Sequence, residues 1–117
     1  MTDPGSHYIS PSDGIVEITW HCAPLRADRF EEMWRPVAEA CLEYGVLSFA
    51  FYRSTDDPWE LKQVMTVADK LDFERYWYSE EVSEARSRAA GLFQVPVVPS
   101  YFRPVATGSL ARSGAEA

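Results

Sequence analysis

In Ile15-Val16-Glu17-Ile18-Thr19-Trp20-His21-Cys22, the apolar residues Val16, Ile18, Trp20 and Cys22 alternate with Glu17, Thr19 and His21. A period of two puts the first set on one face of a β-strand and the second on the other. Pro24 ends the strand, because it cannot donate a ladder hydrogen bond. The next segment changes period. Phe30, Trp34, Val37, Cys41 and Tyr44 recur at steps of three and four, which gathers them on one face of a helix. Asp28 with Glu31 three residues later has the capping-box pattern of a helix start. Pro36 predicts a kink, and Gly45 supplies the stop.

Outward from this β-α pair the chain repeats the theme. Residues 46–53 read as a second strand, 54–58 as a turn and 61–67 as the strand that pairs back. Asp69 is placed to cap a second helix carrying Leu71, Phe73, Tyr76 and Trp77. Ser79 is a second N-cap, restarting the helix after a bend through Val82, Ala85, Ala89 and Leu92 to Gly91 at its end. The last element, Val97 to Val105, is rich in β-formers but holds Pro99 and Pro104, so it belongs at a sheet edge. The order β-α-β-β-α-β predicts an α+β, ferredoxin-like domain. Its antiparallel four-stranded sheet carries two helices on one face. The other face is left bare with apolar side chains, and a homodimer packed sheet to sheet is the expected solution. Interfaces of that obligate kind usually bury more than about 2,000 Å².

The 117 residues are enough for one core-bearing domain. Composition divides them into a Pro/Gly/Ser-containing leader (1–13), the domain (14–106) and a loose tail (107–117). Eighteen acidic residues against eleven basic ones give a net charge of −7. Such a surface repels phosphate backbones and anionic lipid, so neither nucleic acid nor membrane is an expected partner. No apolar run approaches the roughly 20 residues of a membrane helix. The N-terminus has no basic flank and no apolar stretch, so no signal peptide is read there and a cytoplasmic location is expected. Cys22 and Cys41 form no disulfide framework and no zinc-type cluster. They read as small apolar residues of a reduced core. With no ligand cluster and no nucleotide-binding motif, no metal and no cofactor are expected.

Several segments together resemble the antibiotic biosynthesis monooxygenase family. They are the first strand with its aromatic end, Trp34-Arg35-Pro36-Val37-Ala38-Glu39-Ala40, Tyr52-Arg53-Ser54-Thr55-Asp56-Asp57-Pro58, and Val67-Ala68-Asp69-Lys70 followed by Phe73 and Ser79. The similarity spans roughly residues 14–105. It implies a dimeric α+β barrel and a ligand site between the sheet and the second helix. It also implies a function among cofactor-free oxygenases of phenolic or quinol substrates, haem-degrading enzymes and members without assigned activity. Two positions depart from the pattern. Val67 stands where the third strand of many relatives ends in Trp, and Tyr76 where the second helix commonly carries His. Haem degradation leans on both, so the resemblance here points away from haem.

The groups able to carry chemistry are few. His21, at the end of the first strand, carries an imidazole, the side-chain type best suited to accept a phenolic proton. Tyr76 can steer a substrate oxygen or relay a proton. Arg103, read with Tyr101 as a residue of the last strand, offers a fixed positive charge to a phenolate or enolate. The substrate pocket is expected among Trp20, Phe49, Phe51, Met65, Val67, Phe73 and Trp77, with Val67 leaving room for a bulky polycyclic ligand. The leading expectation is a cofactor-independent monooxygenase acting on a phenolic, quinol or polycyclic aromatic polyketide-type substrate. The alternatives are a polyketide cyclase on the same scaffold and a non-catalytic dimer that binds a hydrophobic aromatic small molecule.

Overall fold

The computed structural model describes residues 13–111. The leader through residue 12, with His7, and the tail from residue 112 lie outside the described residues. Eight residues, Gly14–His21, form β1, and its burial alternates as the sequence pattern requires. A 13-residue helix, α1 (Ala27–Glu39), follows and tightens into a 3-10 turn at Ala40–Tyr44. Strands β2 (Ser48–Arg53) and β3 (Glu60–Val67) make the hairpin. Helices α2 (Lys70–Trp77) and α3 (Glu80–Ala89) come next, and β4 (Ser100–Phe102) closes the order. The strands lie in the order β2-β3-β1-β4, every neighbouring pair antiparallel. This is an α+β ferredoxin-like fold. Among the described residues no helix is long and apolar enough to cross a membrane.

The register fixes which side chains meet the helices. Val16 pairs with Met65, Ile18 with Gln63 and Trp20 with Leu61, and all six are buried on the inner face. Phe49 and Phe51 pair with Met65 and Gln63 and so share that face. The Trp20 ring is packed between Phe30 and Trp34, each 5.1 Å away between centroids. Burial of aromatic side chains of this kind is worth roughly 1.5–3 kcal/mol apiece, and it anchors α1 to the centre of the sheet. The outward face carries Ile15, Glu17, Thr19, Ala50, Lys62, Val64 and Phe102. No helix covers it.

Three local expectations are corrected and a fourth is met. Helix α1 starts at Ala27 with Arg26 as N-cap and no side-chain cap. Asp28 accepts instead from Arg53 at 2.6 Å, and Glu31 from the same guanidinium at 3.1 Å. A charge-assisted bond to a guanidinium outcompetes a capping bond to one backbone amide. The α-helix ends at Glu39, short of Tyr44. Four residues past Pro36 the helix gives way to the 3-10 turn, which closes on Gly45 at φ +97°. As expected, the second helical segment bends and restarts: α2 breaks at Tyr78 and Ser79 caps α3, its Oγ accepting from the Val82 amide at 3.2 Å. The last strand keeps only Ser100–Phe102, three of the four residues between Pro99 and Pro104. It is the edge strand beside β1.

Candidate functional site

Three main places receive most of the residues that the sequence nominated. The first is the core itself. Gln63 is fully buried on β3. Its Oε1 accepts from Trp34 Nε1 at 2.9 Å, and its Nε2 donates to the Tyr76 hydroxyl at 3.2 Å and to Met65 Sδ at 3.4 Å. Tyr76 in turn donates to the Val37 carbonyl at 2.8 Å. Burial, ahead of every other influence, pushes the Tyr76 phenol well above its ordinary range, so the hydroxyl stays neutral and keeps donating. One side chain thereby ties α2 to both α1 and β3. Trp20, Met65 and Phe73 belong to the same buried layer. Cys22 and Cys41 are free and buried, and burial raises their thiols to about 11 and about 12, far from a reactive thiolate.

The second place is an open cleft of about 470 Å³ where the start of β1 and the end of β3 meet β4 and the first turn of α2. Val67 forms part of its floor, and Arg103 and Tyr101 its rim. Tyr101 pairs with Val16 and so turns towards α2. Its ring meets Phe73 edge to face at 5.9 Å, and Lys70 Nζ stands 4.4 Å above it. Burial and then the nearby Glu74 carboxylate raise the Tyr101 phenol. It is therefore a hydrogen-bond donor at neutral pH. Two cations and one phenol around a mostly apolar hollow suit a flat, anionic oxygen compound.

Trp77 falls elsewhere, in an apolar hollow of about 220 Å³ shared with Phe93 and Val97, under the guanidinium of Arg86 at 4.4 Å. Phe51 lines a smaller groove of about 160 Å³ with Arg53, and Phe49 packs against the core. The third place is the outward face. His21 points there, 3.8 Å from Glu60 across the β1–β3 ladder and close to Asp57. These three form a trio of metal-type donors within 4.8 Å of one another, His21 and Asp57 exposed and Glu60 half-buried. The cleft thus gathers Val67 and Arg103 but neither His21 nor Tyr76.

Sequence reasoning passed over two residues. Gln63 is the lone amide in the inward series Leu61, Gln63, Met65, Val67, and that parity alone marks it as a buried polar group needing partners. Lys70 is a cation in the first turn of a helix, where the dipole disfavours it. That misplacement is a signal of another use.

No family model matches the sequence, and no curated protein matches it. Solved structures do match. SnoaB, a cofactor-independent oxygenase from Streptomyces nogalater determined as a single-site variant, superposes with a TM-score of 0.69 at 13% identity, covering 82% of this chain and 96% of that one. A Nitrosomonas europaea protein provisionally named an antibiotic biosynthesis monooxygenase gives 0.73 at 15% identity, covering 85% and 96%. The chain has the antibiotic biosynthesis monooxygenase fold. PA3566 from Pseudomonas aeruginosa gives 0.72 at 18% identity over 86% and 100% of the two chains. At such identities the likeness is one of architecture. The cleft at Val67 opens at the end of the sheet, where β1, β3 and β4 meet the first turn of α2, and Ile15 and Phe102 line it too.

Proposed function

We propose that this protein is a cofactor-independent monooxygenase that oxidises a phenolic, quinol or polycyclic aromatic small molecule in the cleft between β4 and α2. The observation that carries the reading is the cleft itself: an apolar floor at Val67 with Lys70, Tyr101 and Arg103 around it, in the fold that SnoaB shares. An electron-rich substrate anion supplies its own reducing power, so the protein's task is to bind it, favour its ionised form and keep it dry. Arg103 and Lys70 favour loss of a proton from the substrate to water, and Tyr101 donates to the resulting oxyanion. The anion passes one electron to O₂. Substrate radical and superoxide then join, forming a carbon–oxygen bond. Cleavage of the O–O bond, with the remaining carbon-bound proton leaving as part of water, yields a carbonyl. The balance is CH₂ plus O₂ to C=O plus H₂O.

Of the nominated catalytic residues, this reading keeps Arg103 for charge and makes Tyr76 a positioning residue that holds α2 against β3. His21 has no part in the cleft. It lies on the face where two copies of the chain are proposed to meet. Oxygen uptake with an anthrone or hydroquinone substrate tests the assignment. The wild type should consume O₂, and Arg103→Gln should slow turnover by about 10²-fold. Val67→Trp should abolish binding by filling the floor while the fold survives an overpacking cost of about 1–3 kcal/mol. Unchanged turnover in both variants would remove the cleft from the reaction.

A further inference from the structure

The cleft lies at the Gly14 end of β1. Beyond the opposite end, at His21, another hollow of about 380 Å³ is walled by three arginines, Arg26, Arg29 and Arg88, with Leu25 and Leu92 beside them. Among the described residues none of the three is within ion-pair distance of a carboxylate, although the chain has eighteen acidic residues and only eleven basic ones. Arg35, Arg53, Lys62 and Arg75 each have an acidic partner. Asp28, the acid of the adjacent helical turn, is held by Arg53. Like charges left together without counterions repel one another, so a cluster of this kind in an acidic protein calls for an anion from outside.

The walls are fastened to one another. The Ala23 amide donates to the Leu92 carbonyl at 2.9 Å, the Arg26 amide to Ala23 at 3.0 Å, and Arg26 Nη1 to the Gly91 carbonyl at 2.8 Å. The tight turn this requires holds Leu25 at φ +69°, a left-handed conformation unusual for a branched apolar residue. Two segments more than sixty residues apart are thus pinned so that arginines from α1 and α3 face one space. Guanidinium groups bind oxyanions through paired N–H donors, and three of them exceed what a single carboxylate can use.

We infer that this hollow binds the phosphoryl group of a small molecule, of the phosphate-monoester or diphosphate class, at a site separate from the cleft and independent of its chemistry. Isothermal titration with pyrophosphate, at ionic strength held constant with sodium chloride, tests it. Pyrophosphate should bind the wild type at least tenfold more tightly than acetate. The double variant Arg29→Gln/Arg88→Gln, at two exposed positions, should lose at least tenfold in affinity. Arg29→Lys/Arg88→Lys, which keeps the charge but not the paired donors, should lose an intermediate factor. In the wild type, amide chemical shifts on titration should move at residues 25–29 and 88–92. Binding no tighter than acetate's, equal binding by the Gln variant, or shifts confined to other segments would overturn the inference. The shift map decides the question even if a variant folds poorly.

Discussion

Gln63 shows how much one buried side chain can hold. Its amide satisfies the Trp34 indole on α1 and reaches the Tyr76 hydroxyl on α2. Gln63→Leu keeps the volume but strands the Trp34 N–H, and should cost about 1–3 kcal/mol in urea denaturation. A loss well under 1 kcal/mol would mean that Trp34 finds another acceptor. The buried acids give a second test. Tyr76, Cys22 and Cys41 all have ionisation raised by burial, the thiols from an ordinary 9.0 to about 11 and about 12. A raised value means that the unfolded chain releases its protons first. Stability is therefore full below about pH 9 and falls as pH rises through the folded values. Urea midpoints at about pH 8 and about pH 10.5 should differ in that direction, and Cys41→Ala should shrink the difference. The inward positions were legible from alternation alone, because Val16, Ile18 and Trp20 leave β1 no other way to face. The bonds of Gln63 were not. A lone polar residue in an apolar series announces that it needs partners without saying which elements supply them.

Elements were legible where one signal dominated and misread where two competed. Ser79 was readable as a cap because nothing nearby offered its hydroxyl or the Val82 amide a stronger partner. Its Oγ also donates to the Tyr76 carbonyl at 2.7 Å, so it joins α2 to α3 as well as starting the latter. Ser79→Ala should cost about 1 kcal/mol, seen as a fall in Tm. An unchanged Tm would show that the break at Tyr78 is held by packing. Asp28 satisfied the same sequence rule and yet does not cap, because the rule sees four residues and Arg53 lies on another element. The last strand shrank for a reason visible in the sequence, the two flanking prolines, whose effect on length depended on which neighbour the strand met. The cleft was harder still. Lys70, Tyr101 and Arg103 converge only once β4 has paired beside β1, a contact that bridges most of the chain.

Over the whole molecule the unfinished business is the outward face. Ile15, Ala50, Val64 and Phe102 lie there around an ion pair between Lys62 and Glu17 at 3.1 Å. Phe102 is half exposed. Apolar side chains on a sheet with no helical cover are the reason for proposing a second copy as their partner. Sedimentation equilibrium at micromolar concentration should report a dimer for the wild type and a folded monomer for Val64→Glu, which buries a charge opposite its own symmetry mate or near it. A wild-type monomer would leave the face without its proposed role. The aromatic cluster at the other side of the sheet has an optical consequence. The indoles of Trp20 and Trp34 lie 5.1 Å apart with their planes at 57°. Neither parallel nor far apart, their transitions couple as an exciton pair. The far-ultraviolet circular dichroism of the folded chain should therefore carry an indole couplet superimposed on the peptide bands. Helix content calculated from that spectrum would be wrong by the couplet, and the difference spectrum against Trp34→Phe would isolate it.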